Sequence, residues 1–145
     1  MSIDSLLEVR SYDGIGYLPL ISYGAWRVAV LRYIDELRVD NLCAMQRHDE
    51  TDEVFVLLAG RCILFMGEGN EAVTDIHAQD MEPLRLYNVK HGAWHTHTLS
   101  PDATVLIIEN SDTADENSPV VALSKAQLRE LVVLTRGLWG APELG

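Results

Sequence analysis

Four polar side chains that can bind a metal or carry a proton occur in two separate stretches of the sequence. Gln46 and His48 are two residues apart, and so are His95 and His97. Residues two apart in a β-strand point to the same face, so each pair can direct its side chains into one interior. Glu53 follows His48 after an acidic turn and can return a carboxylate to the same place. The spacing therefore predicts that imidazoles from two strands meet one carboxylate.

These residue types suit a divalent metal. Two neutral imidazoles and a carboxylate, with the Gln46 amide oxygen as a weak fourth ligand, are donors that Zn, Fe, Mn or Ni accept while keeping positions open for water or substrate. The candidate donors are Gln46, His48, Glu53, His95 and His97. The alternative is that His48 and His95 are hydrogen-bonded polar residues of a metal-free pocket, and both interpretations stay open at this stage.

Short strands must position these side chains. Residues 1–24 are interrupted by glycine and proline and are predicted to form an irregular arm with at most one short edge strand. Eight runs rich in Val, Ile, Leu and aromatic residues follow, each bounded by turn formers or charges, and they span 26–34, 42–47, 54–59, 61–66, 72–76, 84–89, 94–99 and 104–108. This spacing, without a helical period between the runs, is typical of an all-β sandwich or barrel.

One helix is predicted, near the end of the chain, over residues 123–136. Ser124 and Gln127 have the spacing of a capping box, in which each side chain satisfies a backbone N–H of the first turn. Leu128 and Leu131 then fall on one face, and Gly137 is placed to end the helix. We expect this helix to cover one end or side of the barrel or to pack on a second subunit.

Two segments resemble the sequence motifs of the cupin superfamily. The stretch 46–60 is similar to the first motif, with His48, Glu53 and Gly60 at matching positions, and the stretch 90–95 is similar to the second, with Gly92 three residues before His95. The motifs and the strands around them cover residues 26–110. The resemblance implies a double-stranded β-helix, or jelly-roll, barrel whose interior histidines and glutamate hold a divalent metal. The ligands that it implies are Gln46, His48, Glu53 and His95, and His97 could replace Gln46.

The match to the cupin motifs is incomplete. Gln46 stands where the first motif has its first histidine, Lys90 replaces the usual proline, Leu99 replaces the usual asparagine, and Leu84 stands where the second motif has its first glycine. The two glycines that mark turns, Gly60 and Gly92, are retained. The turn positions are thus better preserved than the ligand set.

A second resemblance concerns the possible reaction. The run 92–97, with a Trp-His pair, and the acidic loop 109–117 are similar to the C-terminal part of ureidoglycolate lyase-like cupins. This implies a ureido or hydroxy-acid type of small polar substrate, with His95 or His97 as general acid or base, a role that suits imidazole because its pKa lies near neutrality. His95, His97 and Glu53 are therefore the expected catalytic residues, for a lyase, isomerase or dioxygenase.

Composition limits the remaining possibilities. The 145 residues correspond to one domain (1–145), with a barrel core over 25–110. The formal net charge of −11 disfavours nucleic acid and anionic membranes as partners. The chain shows no signal peptide, so a cytoplasmic protein is expected, and exposed apolar stretches around Leu6, Leu7 and 28–31 predict a homodimer. Two functions remain: a small-molecule enzyme, or a non-catalytic ligand-binding or sensor module that uses the same pocket without metal.

Overall fold

Ten strands form two antiparallel sheets that pack face to face in a computed structural model, which describes residues 2–141. The strands are β1 (Gly16–Tyr23), β2 (Trp26–Arg32), β3 (Ala44–Gln46), β4 (Glu53–Ala59), β5 (Cys62–Gly67), β6 (Ile76–Asp80), β7 (Leu86–Val89), β8 (Trp94–Leu99), β9 (Thr104–Asn110) and β10 (Val120–Ala122). Sheet one has the order β1-β2-β9-β4-β7, and sheet two has the order β10-β3-β8-β5-β6. The predicted all-β fold is confirmed.

The barrel interior is filled by alternate residues of both sheets. Phe55 and Leu57 from β4 and Val105 and Ile107 from β9 meet Leu64 from β5 in one buried cluster. This alternation follows from the two-residue side-chain period of a strand. Cys62 belongs to the same cluster, and burial raises the pKa of its thiol to about 12, so it packs in the core and is not a nucleophile.

The described part of the chain contains one α-helix, α1 (Lys125–Trp139), which covers the outer face of sheet two. Ser124 and Gln127 form the predicted capping box. The predicted end at Gly137 is wrong, because the helix continues for two further residues and Gly140 follows it with a positive φ. The extension is stabilised by Trp139, whose indole N–H donates to Asp80 Oδ1 at 2.9 Å. No helix within residues 2–141 is long and apolar enough to cross a bilayer.

The structure corrects two further boundaries. The run 72–76 is not the predicted strand; β6 begins at its last residue and continues to Asp80. Two strands outside the predicted core 25–110 also complete the sheets: β1 is an eight-residue edge strand on β2, and β10 pairs with β3. The arm is therefore irregular only up to residue 15, apart from a short 3-10 turn at Ile3–Ser5.

The turn positions of the two motifs have the backbone conformation that the resemblance implies. Gly60 has a φ of 70°, and a Cβ there would lie 2.5 Å from the Cα of Ala103, so only glycine fits. Gly92 has a φ of 78°. Leu84, which replaces a motif glycine, still adopts a φ of 65° and is the one non-glycine residue with positive φ among residues 2–141. This conformation is strained for leucine.

We expect Leu84→Gly to stabilise the protein. The side chain of Leu84 is 74% exposed, so little packing is lost. Relief of about 1 to 2 kcal/mol of left-handed strain, offset by about 0.5 to 1 kcal/mol of added chain entropy, leaves a net gain of about 0.5 to 1 kcal/mol. Urea unfolding measures it. The control is Leu86→Gly, equally exposed but within β7, which should destabilise; the prediction is wrong if both variants lose stability.

The homodimer stays a prediction, and the surface that would mediate it changes. Leu31 lies in the barrel interior, 4% exposed, so it is unavailable to a partner. Leu6 and Leu7 are exposed, as are Trp26 and Ile108 of sheet one. Light scattering should give twice the 16.2 kDa chain mass. A mass of one chain would contradict the prediction.

Candidate metal centre and cavity

Both sheets contribute to one polar site inside the barrel. His48 is the second residue after β3 and His95 is the second residue of β8, so both imidazoles lie on the side of sheet two. Glu53 is the first residue of β4 in sheet one. Gln46 pairs with His95 across β3 and β8. The predicted convergence of the two motifs on one interior is therefore present in the structure.

Three of these side chains form a compact group. His48, Glu53 and His95 are all buried, and one ligand atom from each lies within 4.8 Å of the others. His95 Nε2 is 3.0 Å from Glu53 Oε1, and His48 Nε2 is 3.4 Å from Glu53 Oε2. The two imidazole ring centres are 5.3 Å apart. This spacing could hold one metal ion.

Hydrogen bonds outside the group fix the tautomer of both histidines. His95 Nδ1 lies 3.0 Å from the carbonyl oxygen of Ala93, which can only accept, so Nδ1 carries the proton. His48 Nδ1 lies 2.7 Å from Ser118 Oγ. Ser118 donates its own hydroxyl proton to Asn117 Oδ1, so it accepts from His48. Both Nε2 lone pairs then face Glu53. This arrangement is repulsive unless a proton or a metal cation lies between the Nε2 atoms and the carboxylate.

The electrostatics of the group agree with that geometry. Burial would raise the pKa of Glu53, but hydrogen bonds from His48 and His95, which form when these rings also carry a proton on Nε2, outweigh burial and hold the pKa well below its usual range. Burial would lower the pKa of His48, but its hydrogen bond to Glu53 and the Glu53 charge raise it. Glu53 is therefore an anion that attracts a cation, either a proton on imidazole or a metal ion.

The group opens into a cavity of about 540 Å³. This volume lies in the range of small-molecule sites, about 300 to 1,000 Å³. Its polar lining includes Gln46, His97 and Ser118 besides the three grouped residues. The apolar lining includes Leu31, Ile34, Leu37, Phe55 and Ile107. The cavity is thus suited to a small molecule with one polar and one apolar part.

A buried acidic network beside the group was missed from the sequence. Glu109 on β9 accepts hydrogen bonds at Oε1 from the Tyr17 hydroxyl and from Arg27, whose Nη2 lies 2.9 Å away. Burial, followed by the hydrogen bond and charge of Glu53, raises the pKa of Glu109. A signal was present: Glu109 continues the inward alternation of Val105 and Ile107, so it had to point into the barrel.

The other predicted residues have distinct positions. Gln46 lines the cavity, and its amide Nε2 donates to the carbonyl oxygen of Ser118 at 3.4 Å. His97 lines the same cavity with its ring 5.7 Å from that of Phe55, but it stands outside the three-residue group. His91, which was not among the predicted site residues, lies outside the barrel beside Asp52. The structure thus brings Gln46 and His97 to the site without assigning either as a ligand.

We expect the protein to lose folding stability as the pH falls, because His97 takes up a proton more readily in the unfolded chain. Burial, with a smaller contribution from the nearby His95, lowers the pKa of His97 from 6.5 to about 4. The unfolded chain therefore takes up the proton first, so stability is fully present above pH 6.5 and decreases as pH falls towards 4. Between about pH 7 and pH 4.5 this residue should account for a loss of about 2 to 3 kcal/mol.

Urea unfolding of the metal-free protein and of His97→Gln at both pH values isolates this effect. The lowered pKa of Glu53 also reduces folding stability at acid pH, and the raised pKa of His48 has the opposite effect. Both residues are present in the two proteins, so their effects on stability cancel in the comparison. Equal pH dependence in the two proteins would disprove the assignment to His97.

Comparison with known proteins identifies the fold. No family model and no curated protein matches the sequence. Among solved structures, a variant of Pac13 from Streptomyces with uridine superposes with a TM-score of 0.54 at 6% identity, over 80% of this chain and 87% of that one. KdgF from Halomonas sp. superposes with a TM-score of 0.51 at 12% identity, over 79% of this chain and 94% of that one. CapF, solved with the inhibitor 3-isopropenyl-tropolone, gives 0.54 at 12% identity, over 75% of this chain and 33% of its own.

The double-sheet barrel and these likenesses together show that the protein has the cupin fold. The resemblance of the two motifs to cupin sequences is thereby confirmed at the level of fold. Identities this low do not transfer an activity, so function has to be argued from the site.

Proposed function

We propose that the protein is a cupin-type enzyme that holds one divalent transition metal ion on His48, Glu53 and His95 and acts on a small polar molecule. The observation that carries the proposal is the locked tautomer pair: each Nδ1–H donates to an acceptor outside the group, so both Nε2 lone pairs converge on one buried carboxylate. Metal-binding histidines are held in this way, with the second ring nitrogen donating to a partner behind it.

The donor set suits Zn, Fe, Mn or Ni. Imidazole and carboxylate ligands are accepted by all four, and three protein ligands leave positions for water or substrate. Gln46 is the proposed fourth ligand, because its Nε2 already donates to Ser118 and its amide oxygen is the atom left for a cation. A bound ion would polarise a substrate oxygen or a water molecule.

The chain's own residues prepare the cavity for acid-base chemistry. Glu53 orients the two imidazoles, and the Glu109 carboxylate, whose pKa is raised by burial and by Glu53, is placed to take up a proton from a substrate and return it. Phe55 and Ile107 exclude water from one wall of the cavity. A base and an acid within one small cavity suit elimination or isomerisation of a hydroxylated substrate.

The solved neighbours support an activity on small molecules. Pac13 is described as a nucleoside dehydratase and has been solved with uridine, which carries both hydroxyl and ureido-type groups. The resemblance of residues 92–97 and 109–117 to ureidoglycolate lyase-like cupins points to the same functional groups. We therefore extend to this chain the proposal of a ureido or hydroxyl-bearing substrate.

Turnover assays with defined metals test this function. Purified protein is incubated with uridine, ureidoglycolate and small hydroxy acids in the presence of Zn, Mn, Fe or Ni, and products are detected by mass spectrometry. We expect the protein to turn over one of these compounds, and we expect a chelator to abolish that turnover. The variant Glu53→Gln, which keeps the side-chain shape but removes the charge, should be inactive. Binding of a compound without any turnover would contradict the proposal and favour the ligand-binding or sensor module.

A further inference from the structure

His97 has an environment opposite to that of the two grouped histidines. Its ring packs near Phe55 and lines the cavity. Its Nδ1 is buried, and no hydrogen-bond partner for it exists among residues 2–141. His48 and His95, in contrast, both have an acceptor behind Nδ1. The ring of His97 therefore lacks the hydrogen bond from its second nitrogen that orients a metal-binding histidine.

The missing partner determines which nitrogen carries the proton. A buried N–H without an acceptor is rarer in proteins than a buried acceptor without a donor. Nδ1 of His97 is consequently the unprotonated nitrogen, and the proton of the neutral ring is on Nε2. Because Nδ1 is enclosed and His97 lines the cavity, Nε2–H is the donor that remains for a ligand.

The charges around the cavity restrict what that ligand can be. Four carboxylates line it, and they belong to Glu36, Glu53, Glu109 and Asp115. Arg27 is the one Lys or Arg among the described residues of the lining, and each of its three nitrogens already donates a hydrogen bond: Nε and Nη2 to Glu109, and Nη1 to the carbonyl oxygen of Ser111. Even with a divalent ion on the three-residue group, the formal charges of the four carboxylates, Arg27 and the ion leave the cavity with a net charge of about −1, so an anionic ligand is disfavoured.

We propose that His97 is a substrate-binding residue that donates its Nε2–H to an oxygen atom of an uncharged substrate. This inference rests on the proposed function, and it narrows the substrate class from ureido or hydroxy-acid compounds to neutral carbonyl or hydroxyl compounds. His97 then acts as a hydrogen-bond donor, neither as a replacement for Gln46 at the metal nor as a general base.

Nitrogen-15 NMR of the 145-residue protein tests the tautomer directly. Spectra that correlate ring nitrogens with ring protons are recorded near neutral pH, with His97→Gln used for assignment. We expect His97 in the Nε2–H form, and His48 and His95 with protonated Nδ1. The Nδ1–H form or a fully protonated ring at His97 would overturn the inference. One equivalent of Zn²⁺ is then added: shifts confined to His48 and His95 support the metal site, and a shift of His97 into a metal-bound form overturns the inference while leaving the metal site intact.

Acetamide and acetate, which share a shape and differ in charge, test the ligand class on the metal-free protein. We expect acetamide to shift the His97 Nε2–H signals and acetate to bind at least about tenfold more weakly, which corresponds to about 1.4 kcal/mol. The exposed His77 and His91 report non-specific effects in the same spectra. Equal shifts with both compounds, or no shift of His97 with acetamide, would overturn the proposal.

Discussion

Replacing His95 with alanine is expected to lower the affinity for Zn²⁺ at least about a hundredfold. The substitution removes one of three grouped ligands, and even the loss of a residue behind a ligand costs about 10 to 100-fold. His48→Ala should have the same effect, because His48 and His95 hold equivalent positions on either side of Glu53. Isothermal titration calorimetry near neutral pH, with and without a competing chelator, measures both losses.

Two further variants make the metal measurement specific. Ser118→Ala removes the acceptor behind His48 without touching a ligand, so we expect an intermediate loss of about 10 to 100-fold. His91→Ala removes an exposed histidine outside the group and should leave the affinity unchanged. If His95→Ala binds Zn²⁺ within about threefold of the parent protein, the three-residue group is not the metal site.

Loss of the Arg27 charge is expected to destabilise the protein by about 3 kcal/mol, at the lower end of the range for breaking a buried ion pair. Arg27 Nη2 and Glu109 Oε1 are 2.9 Å apart, and the Glu109 side chain is only 3% exposed. In Arg27→Met the carboxylate would stay buried with Tyr17 as its remaining donor. Urea unfolding at neutral pH measures the change in the free energy of unfolding.

A double-mutant cycle separates the lost charge pair from lost packing. Glu109→Gln removes the charge and keeps the shape, so the double variant Arg27→Met with Glu109→Gln should recover at least about half of the lost stability. If the two single effects add, the pair is not coupled and the network around Glu109 contributes little. Arg85→Met, at an exposed ion pair with Glu82, is the control and should change stability by less than about 1 kcal/mol.

The two motifs were readable from the sequence because their information is local. The two-residue period put Gln46 and His48, and likewise His95 and His97, on common faces, and the turn positions fixed where the strands end. Even the substitution at Leu84 preserved the backbone: the chain keeps a positive φ there without glycine. A motif position can thus retain its conformation after its residue type has changed.

The rest of the site depended on contacts between distant segments. Tyr17 reaches Glu109 only because β1 pairs with β2 and β2 pairs with β9, a pairing that joins residues about ninety positions apart. The end of α1 was misplaced for a similar reason: Gly137 ends a helix in isolation, but Trp139 packs beside Arg61 and donates to Asp80, and these contacts outweigh the propensity of one glycine.

The central claim is that His48 and His95 bind one metal ion through Nε2, together with Glu53. A crystal structure of the protein loaded with Zn²⁺, with anomalous data recorded on both sides of the zinc absorption edge, tests it most directly. We expect one anomalous peak at about 2.0 to 2.2 Å from the two Nε2 atoms and a Glu53 carboxylate oxygen. The claim would be contradicted by anomalous peaks only at surface histidines such as His77 or His91, with no peak between His48, Glu53 and His95.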